Sequence, residues 1–205
     1  MKETIVANFY GGPGTGKSTM AALVFAKLKD LGVNAELVTE YAKDQTWQES
    51  FNVLSNQIYV FAKQQHRLWR LKGKVDIILT DAPLLNSIVY CPSDGHALEE
   101  LVKDEYNRFH NVDIFLNRVK AYNPSGRSQT EEQARVLDNK TKSVLYDVRR
   151  KTARFGNQSN DTLWYDLCLD GASYEADKIV NYLKNELEDV MDMAELIEQH
   201  NNRFK

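Results

Sequence analysis

The sequence predicts an α/β fold, a three-layer α/β/α sandwich around a mainly parallel five-stranded sheet. Three observations carry that expectation. Short apolar and β-branched runs alternate with amphipathic stretches along the chain. The run at 75–80 (VDIILT) is almost continuously apolar at its end, as a parallel strand covered on both faces must be. The first run, 4–9 (TIVANF), is stopped by a glycine-rich turn that opens directly into a helical pattern, which is the start of a βαβ unit.

After that turn, Met20, Leu23, Val24, Leu28 and Leu31 recur at spacings of three and four until Gly32, which predicts a helix of about four turns. Residues 35–39 (AELVT) read as the second strand and deliver Glu40 into its loop. A long helix is expected over 45–71, interrupted near Asn52, and the third strand then delivers Asp81. Residues 84–109 read as two helical pieces divided at 91–95, and 112–116 (VDIFL) as the fourth strand, ending at Asn117 and Arg118. Thr130, Glu131, Glu132 and Gln133 have the form of a capping box opening a helix to about Ala153. Residues 162–169 (TLWYDLCL) supply the fifth strand. The stretch at about 172–203 is amphipathic helix in two parts, expected to pack against its own sheet, with a homodimer contact as the alternative.

The chain has 205 residues, of which 42% are hydrophobic and 27% charged, with a net charge of −3. These values fit one domain over 1–205 and give no general attraction to nucleic acid or to an anionic membrane. No apolar run reaches the roughly 20 residues of a membrane span, and the start carries neither a secretory nor a transit pattern, so a cytoplasmic protein is expected. Cys91 and Cys168 lie far apart without metal-ligand spacing, so neither a disulfide nor a zinc site is expected. The four histidines form no metal spacing.

Residues 11–19 read GGPGTGKST, in which Gly11, Gly16, Lys17 and Ser18 satisfy GxxxxGK[ST], the Walker A pattern. Glycines let the loop curl so that backbone N–H groups face phosphate oxygens, and the following helix adds its positive end. Gly12, Gly14, Thr15, Gly16, Lys17, Ser18 and Thr19 are therefore the expected contacts to ATP. Lys17 would reach the terminal phosphates, Ser18 would hold Mg²⁺, and Thr19 would face the α-phosphate. Asp81, at the end of an apolar strand, suits a second Mg²⁺ ligand or its water shell, with helix capping as the plainer role. Glu40 would stand across from the γ-phosphate, placed to orient or deprotonate an acceptor hydroxyl. Arg118, Arg127 and Arg135 flank a segment rich in Gly, Pro, Ser and Asn, over about 118–135, of the kind that closes as a lid and neutralises transferring phosphate. Arg118 and Arg127 are the expected catalytic pair.

GGPGTGKST, LVTEYAKD, IILTDAPL and DIFLNRVKAYNPSGRSQTEEQA together resemble the P-loop kinase-type AAA-domain proteins common in bacteriophages, related to ribosylnicotinamide kinase and to nucleoside and nucleotide kinases. The resemblance covers about residues 1–170. It implies a nucleotide-kinase-like fold that moves the ATP γ-phosphate to a nucleotide-like small-molecule acceptor, in the host cytoplasm if phage-encoded. In such kinases a helix after the second strand walls the acceptor, which nominates Tyr41, Gln57, Phe61 and Gln64, the last three sharing a helix face.

Two alternatives stand beside this expectation. A kinase acting on a hydroxymethylated base in DNA needs a basic groove, for which Lys120, Arg127, Arg149, Arg150, Lys151 and Arg154 are the candidates, while the acidic net charge disfavours DNA as a partner. A nucleotide-dependent accessory ATPase or switch would act through a protein. For a GTPase the segment Asn139, Lys140, Thr141, Lys142 lacks the aspartate of a guanine-reading NKxD.

Overall fold

A computed structural model of the chain describes residues 2–91, 95–123, 129–153 and 165–203. Its five strands are β1 Ile5–Tyr10, β2 Ala35–Val38, β3 Ile77–Thr80, β4 His110–Asn117 and β5 Leu167–Asp170. They lie in the order β2-β3-β1-β4-β5, and every pair is parallel. Helices cover both faces, which is the predicted three-layer arrangement.

The period-two alternation of β1 divides the core. Ile5, Ala7 and Phe9 face one layer, with Met20, Val24 and Leu28 of α1 (Lys17–Asp30) and Ile179 and Leu183 of α8 (Ala176–Arg203). Val6 and Tyr10 face the other, with Phe61 and Leu68 of α4 (Gln57–Trp69), Val102 of α6 (His96–Tyr106), and Leu145 and Val148 of α7 (Glu131–Ala153). The capping box forms as read, since Gln133 N–H donates to Thr130 Oγ1 at 3.3 Å and Thr130 N–H to Gln133 Oε1 at 2.8 Å. Among the described residues no helix is long and apolar enough to cross a membrane.

Two helical expectations are corrected. The helix expected over 45–71 with one interruption near Asn52 is three helices, α2 Tyr41–Trp47, α3 Phe51–Ser55 and α4, broken on both sides of Asn52. Glu49 adopts a left-handed φ of 55° between the first two, and Asn56 caps α4 by accepting the Tyr59 N–H at 3.2 Å. Short polar side chains such as Asn56 offer the backbone a partner outside the helix ladder, and that interrupts it. At the other end, the two parts expected after residue 172 are one continuous helix, α8. The early residues of the expected fifth strand, 162–164, lie outside the described residues.

One polar cluster is built into the second apolar layer. Asp113, fully buried on β4, accepts from Tyr106 Oη at 2.5 Å, Asn8 Nδ2 at 3.1 Å and Arg149 Nη1 at 3.0 Å. Arg149 also grips Asp166 through two 2.8 Å bonds. Burial pushes the Asp113 carboxyl up, and Tyr106 and Arg149 pull it back. Arg149→Ala is expected to destabilise the protein by about 3–5 kcal/mol in denaturant melts, because it strands the buried Asp113 carboxylate without a counter-charge. The corresponding loss for Arg135→Ala, whose guanidinium meets Glu131 on the exposed face of α7, is expected within about 0.5 kcal/mol.

Candidate active site

The order β2-β3-β1-β4-β5 opens a crevice at the carboxyl ends of the strands, where an α/β sheet gathers its ligands. β1 leads into the glycine loop there and α1 begins at Lys17. Gly16, the N-cap of α1, takes a φ of 96°, open to glycine at little cost, and it has no side chain with which to cap the helix. The N–H groups of the first turn of α1 thus have no intrahelical acceptor and no capping side chain.

The loop is also pinned from behind. A Cβ on Gly171, just past β5, would lie 1.9 Å from the Thr15 carbonyl oxygen. The Thr15 hydroxyl, buried, donates to Gly12 O at 3.1 Å. Gly171→Ala is expected to push the loop forward and weaken ATP binding by about tenfold or more, measured by titration with a fluorescent ATP analogue. An unchanged affinity would show that the loop does not depend on this contact.

Lys17 is half-buried, and its Nζ donates to Gly11 O at 2.7 Å and Gly12 O at 3.0 Å. Burial lowers its pKa, while the charges of Glu40, Asp81 and Asp138 work the other way. Glu40 stands at the N-cap of α2 with an extended φ, ψ of −67°, 122°. Burial raises its pKa, the Lys17 ammonium opposes the rise, and Asp81 adds to it. Asp81 is buried just past β3, and its Oδ1 has no hydrogen-bond partner among the described residues. The capping role weighed for Asp81 does not apply, since α5 (Asn86–Val89) begins later and its N-cap is Leu85.

Lys17 and Glu40 border a cavity of about 480 Å³, a size suited to a small ligand, and Asp81 lies behind its lining, next to Ala82 and Pro83. Gly14, Gly16, Lys17, Ser18 and Thr19 form one wall, with Glu40 beside them. Opposite lie Lys43, Thr46 and Trp47 of α2, Leu54 of α3, and Gln57, Val60 and Gln64 of α4. Asn86, Ser87 and Tyr90 close the far side. Burial raises the Tyr90 hydroxyl well above the usual phenol range. The sequence reading passed over Lys43 and the three α5-side residues. The signal for the latter was Asp81 itself, because the segment just after a strand's carboxyl end must face the crevice, and Asn86 and Ser87 stand out among its apolar neighbours.

Six expected site residues lie outside the cavity lining: Thr15, buried with its hydroxyl on Gly12 O, Asp81, and four more. Gly12 faces α7, donating its N–H to Asp138 Oδ1 at 2.5 Å, and an added Cβ would lie 2.5 Å from Ala134 O. Arg118, with a side chain only 6% exposed, is committed behind the loop. It donates to Pro13 O at 2.7 Å and pairs with Asp138 Oδ2 at 3.0 and 3.2 Å. It holds the loop rather than facing the cavity. Phe61 is 4% exposed and belongs to the core, because its position on α4 turns it toward Leu68 and the sheet. Tyr41 meets the Tyr59 ring edge-on at 6.0 Å, outside the cavity lining. Gln64 does reach the cavity, but its amide is held by the backbone, accepting from Tyr41 N–H at 2.9 Å and donating to Thr39 O at 3.4 Å. Gln57 lines the cavity as expected. Arg127 lies outside the described residues.

Comparison with known proteins adds a family. The family described as AAA domain matches residues 6–162. No curated protein matches the sequence. Among solved structures, the crystal structure of APE1195 is 15% identical with a TM-score of 0.48, covering 93% of this chain and 98% of that one. A point mutant of the Mycobacterium tuberculosis APS kinase CysC is 16% identical with a TM-score of 0.46, and the same kinase in complex with AMPPNP and APS is 16% identical with a TM-score of 0.47. Each of these two covers 90% of this chain and 99% of its own.

Proposed function

The chain belongs to the AAA-domain family, and on that premise we propose that it is a single-domain ATP-dependent kinase that moves the γ-phosphate of ATP to a hydroxyl of a nucleotide-like acceptor. The observation that carries this reading is the two-sided cavity. The phosphate loop forms one wall, aromatic and amide side chains form the other, and Glu40 stands between them. A site that only hydrolysed ATP would have no use for the second wall.

In this reading Lys17 exchanges its bonds to Gly11 O and Gly12 O for phosphate oxygens, so its charge is delivered where the transferring group becomes most anionic. Arg118 and Asp138 fix the first half of the loop from behind and thereby orient the amides of its second half. Glu40 accepts the proton of the acceptor hydroxyl as its oxygen bonds to the γ-phosphorus, and the bond from that phosphorus to the β–γ bridging oxygen breaks to release ADP. Gln57, Asn86 and Ser87 offer hydrogen bonds to the acceptor, and Trp47 offers a flat apolar surface.

A magnesium ion fits the residues present. The partnerless Asp81 Oδ1 and the exposed Ser18 hydroxyl at the start of α1 are oxygen donors of the kind Mg²⁺ takes beside phosphates. When bound, the ion supplies positive charge to the phosphate oxygens. The test is ADP release measured with Mg²⁺, ATP and a panel of nucleosides, nucleotides and oligonucleotides. Stimulation by one acceptor class at least about tenfold over the acceptor-free rate is expected. A rate indifferent to every acceptor would refute the kinase reading.

A further inference from the structure

The segment from Ser50 to Val75 contains no Asp or Glu, although the chain has 29 of them, and it carries Lys63, Arg67, Arg70, Lys72 and Lys74. Half of this run is α4, and the fold exposes the helix face on which its cations and aromatics alternate. Tyr59, Lys63, His66 and Arg70 recur at steps of four, three and four and are all exposed. Trp69, 60% exposed, stacks against His66 with ring centroids 5.9 Å apart. Lys63 Nζ stands 5.2 Å over the Tyr59 ring. Arg67, one position round the helix, is committed to Asp44 at 2.7 Å.

Large aromatic rings left in solvent beside cations cost hydration free energy unless something covers them. The partner that matches flat rings interleaved with positive charge, on a helix that contributes no carboxylate, is a chain of stacked bases on a phosphate backbone. The same helix lines the cavity through Gln57, Val60 and Gln64 on a neighbouring face, and Trp47 in that lining stands 65% exposed. The basic cluster first considered for such a role is different, and Arg149 at its centre is spent on Asp113 and Asp166.

We infer that the exposed face of α4 is a docking ridge for single-stranded nucleic acid, which presents a hydroxyl of one nucleotide to the cavity. The ridge binds by phosphate neutralisation and base stacking. Its second half, delivery to the cavity, rests on the kinase reading. The two can fail separately.

The experiment is fluorescence anisotropy of the full chain with labelled oligothymidylate and oligouridylate about a dozen nucleotides long, over a salt series, alongside heparin as a polyanion without bases. Wild type should bind at least one of the two strands. Lys63→Glu with Arg70→Glu should lower the salt slope by about 1.4, from two phosphates at about 0.7 each. Trp69→Ala should weaken strand binding by about tenfold without changing heparin binding. The same variants should raise KM for phosphorylation of the strand while leaving kcat, ATP affinity and the KM for a free nucleoside unchanged. No binding of either strand, binding indifferent to Trp69, or heparin bound as tightly as the strands would overturn the ridge. If the strand binds as stated but no acceptor is phosphorylated, the ridge stands and the kinase reading falls. Nucleoside phosphorylation without strand binding gives the reverse.

Discussion

Replacing Lys17 by alanine is expected to reduce kcat/KM by about a thousandfold or more, the size of loss seen when a charge aimed at a developing anion is removed from a water-poor site. The half-buried ammonium is held by two carbonyl oxygens of its own loop, Gly11 O and Gly12 O, so it is already directed at the phosphate position. Its pKa is lowered by burial, and carboxylates around it work to keep it charged. Stability should change little, since those bonds tie the lysine to its own loop and bridge no two elements. A thermal melt and a steady-state assay on the same sample separate the two effects. Activity within tenfold of wild type would contradict the role assigned to this residue.

Glu40→Gln is the second large effect. Removing a positioned base is expected to slow transfer by about a hundred- to ten-thousandfold while ATP binding survives. The pH profile makes the assignment specific. Transfer needs Glu40 ionised and Lys17 protonated, so kcat/KM should rise through a Glu40 pKa above the ordinary carboxylate range and fall through a Lys17 pKa below the ordinary amine range. The acid limb should vanish in Glu40→Gln. Folding should not suffer. A carboxyl whose folded pKa is raised stabilises the fold below its unfolded pKa, and that contribution is lost as pH rises through the folded value. Near about pH 7 the glutamine variant should therefore melt no lower than wild type.

The positions of the strands and the phosphate loop were the most legible parts of this chain, because both rest on local chemistry. Each buried parallel strand is an apolar run, and the glycines announce the turn. Glu40 and Asp81 were legible for the same reason, standing where strands end. Other residues were misplaced where one helix face was read for another. Gln57, Phe61 and Gln64 share a face in projection, but a helix packed in a corner divides that face between core and cavity, and Phe61 went to the core. Arg118 was misread because its partner, Asp138, is 20 residues away on α7. The contact is made by tertiary packing that no spacing reveals. An interruption near Asn52 was legible, but not that it falls twice, on either side of α3. Glu49, which takes a left-handed φ between α2 and α3, is not a residue that signals such a turn.

The loss of Arg118 from the cavity also changes the account of the loop. Its guanidinium joins Pro13 O to Asp138, and Asp138 holds the Gly12 N–H, so the start of α7 and the phosphate loop form one hydrogen-bonded unit.

The central claim is that the phosphoryl group crosses the cavity from the loop wall to an acceptor beside Glu40. It is tested most directly by following the label of γ-radiolabelled ATP with the best acceptor from the panel, in wild type and in Glu40→Gln. In wild type the label should appear on the acceptor one-for-one with ADP, and in the variant it should stay on ATP. Label released as inorganic phosphate in the presence of acceptor, at the same rate in both proteins, would contradict it.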